Sequence, residues 1–149
     1  MFIETRDGEC WRREFPGDPE QARAVRRFVG ALLADCPFAD EVLLGCGELV
    51  ANTVRHTRSG LPGGRFTVEV RRWRGTCGAY DKETELVALC VSDQGGDGEP
   101  NTSFPEDEYS ETGRGLWTVA QTAASWGWFG GPAGRSVCAV FAPLEFRVV

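Results

Sequence analysis

The sequence predicts an α+β two-layer sandwich, a mixed and mostly antiparallel sheet with its helices packed on one face. Three observations lead there. The apolar periodicities fall in the order strand, helix, helix, strand, strand, helix, strand, strand, which suits two packed layers. The run Phe66 to Trp73 alternates Phe66, Val68 and Val70 against Thr67, Glu69 and Arg71, the pattern of a strand with one solvated face. The second helix carries Val42, Leu43, Cys46, Leu49, Val50 and Val54 on one sector that can lie on such a sheet.

In chain order, Glu9 to Phe15 reads as a strand with Cys10 or Trp11 inward. Pro16-Gly17-Asp18-Pro19 is a turn, with Asp18 as N-cap and Pro19 at the first helical position. The helix runs to about Ala34 and buries Ala22, Val25, Phe28, Val29, Leu32 and Leu33. Cys36-Pro37 breaks it, and a second helix spans about Ala39 to Thr57. Ser59 to Gly64 supplies turn residues. Phe66 to Trp73 is the next strand, with Trp73 a further inward candidate. Gly75 to Thr84 is a long hairpin loop, and Leu86 to Val91 is apolar enough for a central strand that ends at Ser92-Asp93. Residues 94–112 hold glycines, prolines and six acids; a stretch this long without periodicity is expected to be a lid. A third helix opens at Gly113 to Leu116 and ends near Ser125. Trp126 to Phe129 and Ser136 to Pro143 close the sheet around the turn at Gly130 to Gly134.

Composition narrows the function. One domain over residues 1–149 is expected, with 42% hydrophobic and 26% charged residues. A net charge of −6 argues against nucleic acid as partner, because phosphate contacts need clustered Lys and Arg. No apolar run approaches membrane-spanning length and the N-terminal residues lack an apolar signal core, so a cytoplasmic protein is expected. The six cysteines form no C-x-x-C pair and are expected as reduced thiols, mostly small core residues.

Chemistry concentrates on the second helix. At about 100° per residue, Glu41, Gly45, Glu48, Asn52 and His56 share one stripe. Glu48 can take a proton from a hydroxyl or water, and Asn52 offers a neutral oxygen to a hard cation. By themselves these two residues also suit a solvated helix face. They gain meaning from Gly113-Arg114-Gly115-Leu116, whose unpaired N–H groups at a helix start can cradle phosphates. Neither a Rossmann fingerprint nor a Walker A loop is present. Asp93, at the end of a buried strand and just before Gly95, is placed either to accept from an exocyclic amine or to start a turn.

In this order the motifs resemble the GHKL ATPase superfamily, the Bergerat-fold group of gyrase-type ATPases and histidine kinases. The first box matches Glu48-Leu-Val-Ala-Asn52, the second Asp93-Gln-Gly95, and the third Gly113-Arg-Gly115-Leu116 followed by Trp126-Gly127. The similarity runs from about Phe15 to Pro143, and Glu48 makes it most similar to the stand-alone anti-sigma-factor serine/threonine kinases of actinobacteria. The resemblance implies ATP and Mg²⁺ as cofactors, Asn52 as the magnesium ligand and Glu48 as the base. It also implies Asp93 on the adenine amine, Gly95 beside the base, and the Gly113, Arg114, Gly115 and Leu116 backbone on the phosphates. Ser136 would bond near the adenine, and His56 matches a position that is often basic, where a helix-end histidine is an equal reading. The implied partner is an anti-anti-sigma (STAS-domain) protein or a sigma factor, and relatives often form a homodimer. Two departures stand out: the usual second glycine of the second box is displaced to Gly96 or Gly98, and Glu111-Thr112 stands where some kinases carry a basic residue.

Overall fold

Side-chain alternation fixes which face of each strand meets the helices. In the computed structural model, residues 8–76, 82–96 and 114–146 are described, without the side chains of Arg114 and Gly115. Five strands, β1 (Glu9–Pro16), β2 (Arg65–Thr76), β3 (Glu83–Asp93), β4 (Ser125–Gly131) and β5 (Gly134–Phe141), form one sheet in the order β1-β2-β3-β5-β4. All pairings are antiparallel, with no parallel pair among the described residues. Helices α1 (Gln21–Leu32), α2 (Ala39–His56) and α3 (Arg114–Thr122) supply the second layer.

The helix-facing residues are Phe66, Val68 and Val70 of β2, Val87, Leu89 and Val91 of β3, and Val137, Ala139 and Phe141 of β5. They form one buried core with Val25, Val29, Val42, Cys46, Leu49 and Val50 of the helices. Trp11 packs against this core and Cys10 is exposed, which settles the orientation of β1. Trp73 lies on the other side. One residue out of phase with Val70, it joins Leu86 and Ala142 in a second cluster beneath Phe146. Arg72 takes the helix-facing position instead, where its guanidinium donates to Leu32 O at 2.8 Å and Asp35 Oδ1 at 2.7 Å and pairs with Glu85.

Two boundaries differ from expectation. The regular turns of α1 begin at Gln21, two residues after Pro19, although Asp18 still accepts from Glu20 N at 3.0 Å as an N-cap does. The β2–β3 connection is shorter than the Gly75 to Thr84 loop, since pairing continues out to Thr76↔Glu83. The 94–112 stretch expected as a lid lies mostly outside the described residues. Among the described residues no helix is long and apolar enough to cross a membrane.

The expectation of reduced thiols fails for one pair. Cys90 and Cys138 stand directly opposite in the β3–β5 ladder, with Cα atoms 4.1 Å apart, and are joined as a disulfide. Cys10, Cys36 and Cys46 are free. Alkylation of native protein followed by mass spectrometry is expected to leave Cys90 and Cys138 unmodified until a reductant is added. Reduction should lower stability by about 2–4 kcal/mol, the range for a loop of this order.

Gly45 shows why α2 sits so close to the sheet. A Cβ there would lie 2.6 Å from Cζ of Phe141, a ring with no exposed surface that has nowhere to move. Gly45→Val is expected to destabilise by about 1–3 kcal/mol, the overpacking range, which outweighs the few tenths gained in helix propensity. At Gly47 nothing lies within 4 Å of an added Cβ. Gly47→Ala should therefore stabilise by up to about 1 kcal/mol, and urea midpoints at constant m-value measure both changes.

Candidate functional site

The 18-residue helix α2 carries the first half of the site. Cys46, Leu49, Val50 and Thr53 anchor its inward side, which leaves Glu48 and Asn52 half-buried one turn apart and His56 exposed at the last helical residue. Thr57 ends the helix by donating twice to Thr53 O, from its amide at 3.2 Å and its hydroxyl at 2.7 Å. Helix α3, which begins within the Gly113-Arg114-Gly115-Leu116 motif, packs against α2. The helix that starts at the third motif is thus brought onto the helix that holds the first. Gly113 lies outside the described residues. Leu116 is only 2% exposed, so its side chain belongs to the core and only its backbone, with that of Arg114 and Gly115, is available to an anion at the helix start.

β3 delivers Asp93 on the helix-facing side at the end of the strand, 9% exposed. Burial pushes its carboxyl above the usual carboxylate range; the hydrogen bond from Gly95 N, at 2.7 Å to Oδ1, and the charge of Arg135 pull it back in part. The following residues are fastened to the 3-10 turn Arg58–Gly60. Gln94 N donates to Ser59 Oγ at 2.9 Å, Arg58 N to Gly95 O at 2.7 Å, and Arg65 N to Gln94 Oε1 at 2.8 Å. Gly95 has φ +83°, and a Cβ there would stand 2.0 Å from Pro132 O. Its glycine is therefore already required by the β4–β5 turn, apart from any approach of a base.

Ser136 departs from its expected place. It sits on the sheet face turned away from the helices and hydrogen-bonds Ser92 Oγ at 2.6 Å, so it does not share a side with Asp93. The residue directly across from Asp93 is Arg135. It is 7% exposed, with its Cζ 5.2 Å from the Trp128 ring centroid. The sequence reading passed over Arg135. The available signal was a charged residue in phase with the apolar Val137, Ala139 and Phe141.

Glu48 and Asn52 offer side-chain oxygens on one stripe, and no group of three or more His, Cys, Asp or Glu that could hold a metal occurs among the described residues. Such a sparse donor set fits Mg²⁺ that arrives with a polyphosphate and keeps waters in its shell, and not an all-protein cage. Two depressions lie away from these residues. One of about 340 Å³ is lined by Ala22, Arg23, Arg26 and Arg27 on α1, and one of about 390 Å³ lies between the turns at Gly17 and Pro62.

The family model of the histidine kinase-like ATPase domain matches residues 15–141. No curated protein matches the chain. The matched span runs from the buried end of β1 to the end of β5 and takes in α2, Asp93 and α3. By that match the chain belongs to the family of histidine kinase-like ATPase domains.

Proposed function

We propose that this protein is an ATP- and Mg²⁺-dependent serine/threonine protein kinase of the anti-sigma-factor type, acting on an anti-anti-sigma (STAS-domain) partner to regulate transcription. The observation that carries the reading is Glu48 one helical turn from Asn52 on a helix packed against α3, in a chain of this ATPase family. Asp93 would accept from the adenine amine, and the start of α3 would meet the phosphates. Asn52 would ligand the magnesium, which supplies charge neutralisation of the polyphosphate when bound. Glu48 would take the proton of the attacking Ser or Thr hydroxyl. In phosphoryl transfer, positioning and electrostatics do most of the work, which suits a site with so few reactive groups. The exposed arginines of α1, Arg23, Arg26 and Arg27, give the partner reading an electropositive surface on an otherwise acidic chain.

Incubation with labelled ATP, Mg²⁺ and a panel of anti-anti-sigma proteins is the test, and phosphate on a partner Ser or Thr is the expected result. The second reading is a non-catalytic ATP-binding module that sequesters its partner. It is favoured by Glu111-Thr112 in the position where some kinases place a basic residue. ATP binding with no transfer across the panel would select it.

A further inference from the structure

Arg135 is the buried charged group that the proposed chemistry leaves unused. It lies on the helix-facing side of β5, where its in-phase neighbours are apolar, and its Cα partner in the ladder is Asp93. Its guanidinium stacks on Trp128, and its Nε is buried without a hydrogen-bond partner. Stacking on an aromatic ring offsets part of the cost of desolvating the cation, but it satisfies none of the N–H donors. A buried donor without an acceptor is costly, and no described residue supplies one to Nε.

We propose that Arg135 is a second nucleobase-reading residue, donating to the ring nitrogen next to the exocyclic amine that Asp93 accepts. The inference rests on the nucleotide reading given above. A carboxylate and a guanidinium on opposed positions of neighbouring strands present an acceptor beside a donor. The edge of adenine offers the complement, an amine donor at C6 beside an acceptor at N1. Guanine reverses both, with O6 facing the carboxylate and a protonated N1 facing the guanidinium. A site built to hydrogen-bond both positions rejects analogues that lack either one.

The test is calorimetric titration of wild type and Arg135→Met with ATP and with 1-deaza-ATP, in which N1 is replaced by CH. Wild type is expected to bind 1-deaza-ATP about tenfold more weakly than ATP, the loss of one hydrogen bond to a charged donor. Arg135→Met should bind ATP about tenfold more weakly and no longer distinguish the two nucleotides. Equal affinities in wild type, a measurement that needs no variant, would overturn the assignment, as would an Arg135→Met protein that still discriminates. Wild type that binds ATP but ignores the N1 substitution refutes Arg135 alone. Wild type that binds neither nucleotide refutes the nucleotide reading and this assignment with it.

Discussion

Glu48→Gln is expected to lower phosphoryl transfer by about 10²–10⁴-fold, the range for loss of a general base, while ATP affinity stays nearly unchanged. The substitution keeps the shape of the side chain and its place on α2, because the helix is anchored by Leu49, Val50 and Thr53 on its inward side and not by Glu48. Single-turnover transfer of labelled phosphate beside calorimetry separates the two effects. A Glu48→Gln protein that transfers phosphate at the wild-type rate would remove Glu48 from its role as base. A wild type and variant that both bind ATP and transfer nothing would point to the sequestering module.

Asp93→Ala is expected to weaken ATP binding by about 10–100-fold, since it deletes a charged acceptor from a largely desolvated site. The same carboxylate also holds Gly95 N at 2.7 Å, so part of that loss would come from the turn. Asp93→Asn keeps a carbonyl for Gly95 and removes the charge; if it binds ATP much better than Asp93→Ala, the turn accounts for the difference. The pH dependence gives an independent check. Burial raises the folded carboxyl above its ordinary 3.8, so ATP affinity should fall as pH drops through a value above 3.8. For stability the sign is opposite. A raised carboxyl contributes stability that is fully present below the unfolded value and is lost as pH rises through the folded one. Asp93→Asn should flatten both profiles in that window, and wild-type-like titration of binding in the variant would clear Asp93 of the effect.

The succession of strands and helices along the chain was legible because it follows from periodicity, which a single chain displays openly. The period of 2 in β2 identified Phe66, Val68 and Val70 as inward, and the period of 3.6 in α2 separated Glu48 and Asn52 from Leu49 and Val50. What stayed hidden depends on register between strands. Cys90 and Cys138 are 48 residues apart in the chain, and only the β3–β5 ladder makes them neighbours. The same ladder sends Ser136 to Ser92 and sets Arg135 against Asp93, a one-residue choice that motif spacing does not resolve. Trp73, a further inward candidate, lies on the other face for a simpler reason: a bulky aromatic looks like core wherever it stands, and a second, smaller core receives it. Residues 97–113, Gly113 among them, are the part of the nucleotide reading that lies outside the described residues.

The pairing of β1 with β2 has a bearing on how the chain reaches this state. Glu9 meets Arg72 and Pro16 meets Arg65, so the first strand finds its partner only after both intervening helices have been made. On a ribosome, Phe15 would emerge long before Phe66, the ring it stacks on at 5.7 Å, and would have only α1 for cover. Closure of so distant a pairing carries a large loop entropy and slows folding relative to a hairpin. The N-terminal strand thus stays unpaired, and open to a protease acting on the nascent chain, until β2 has emerged.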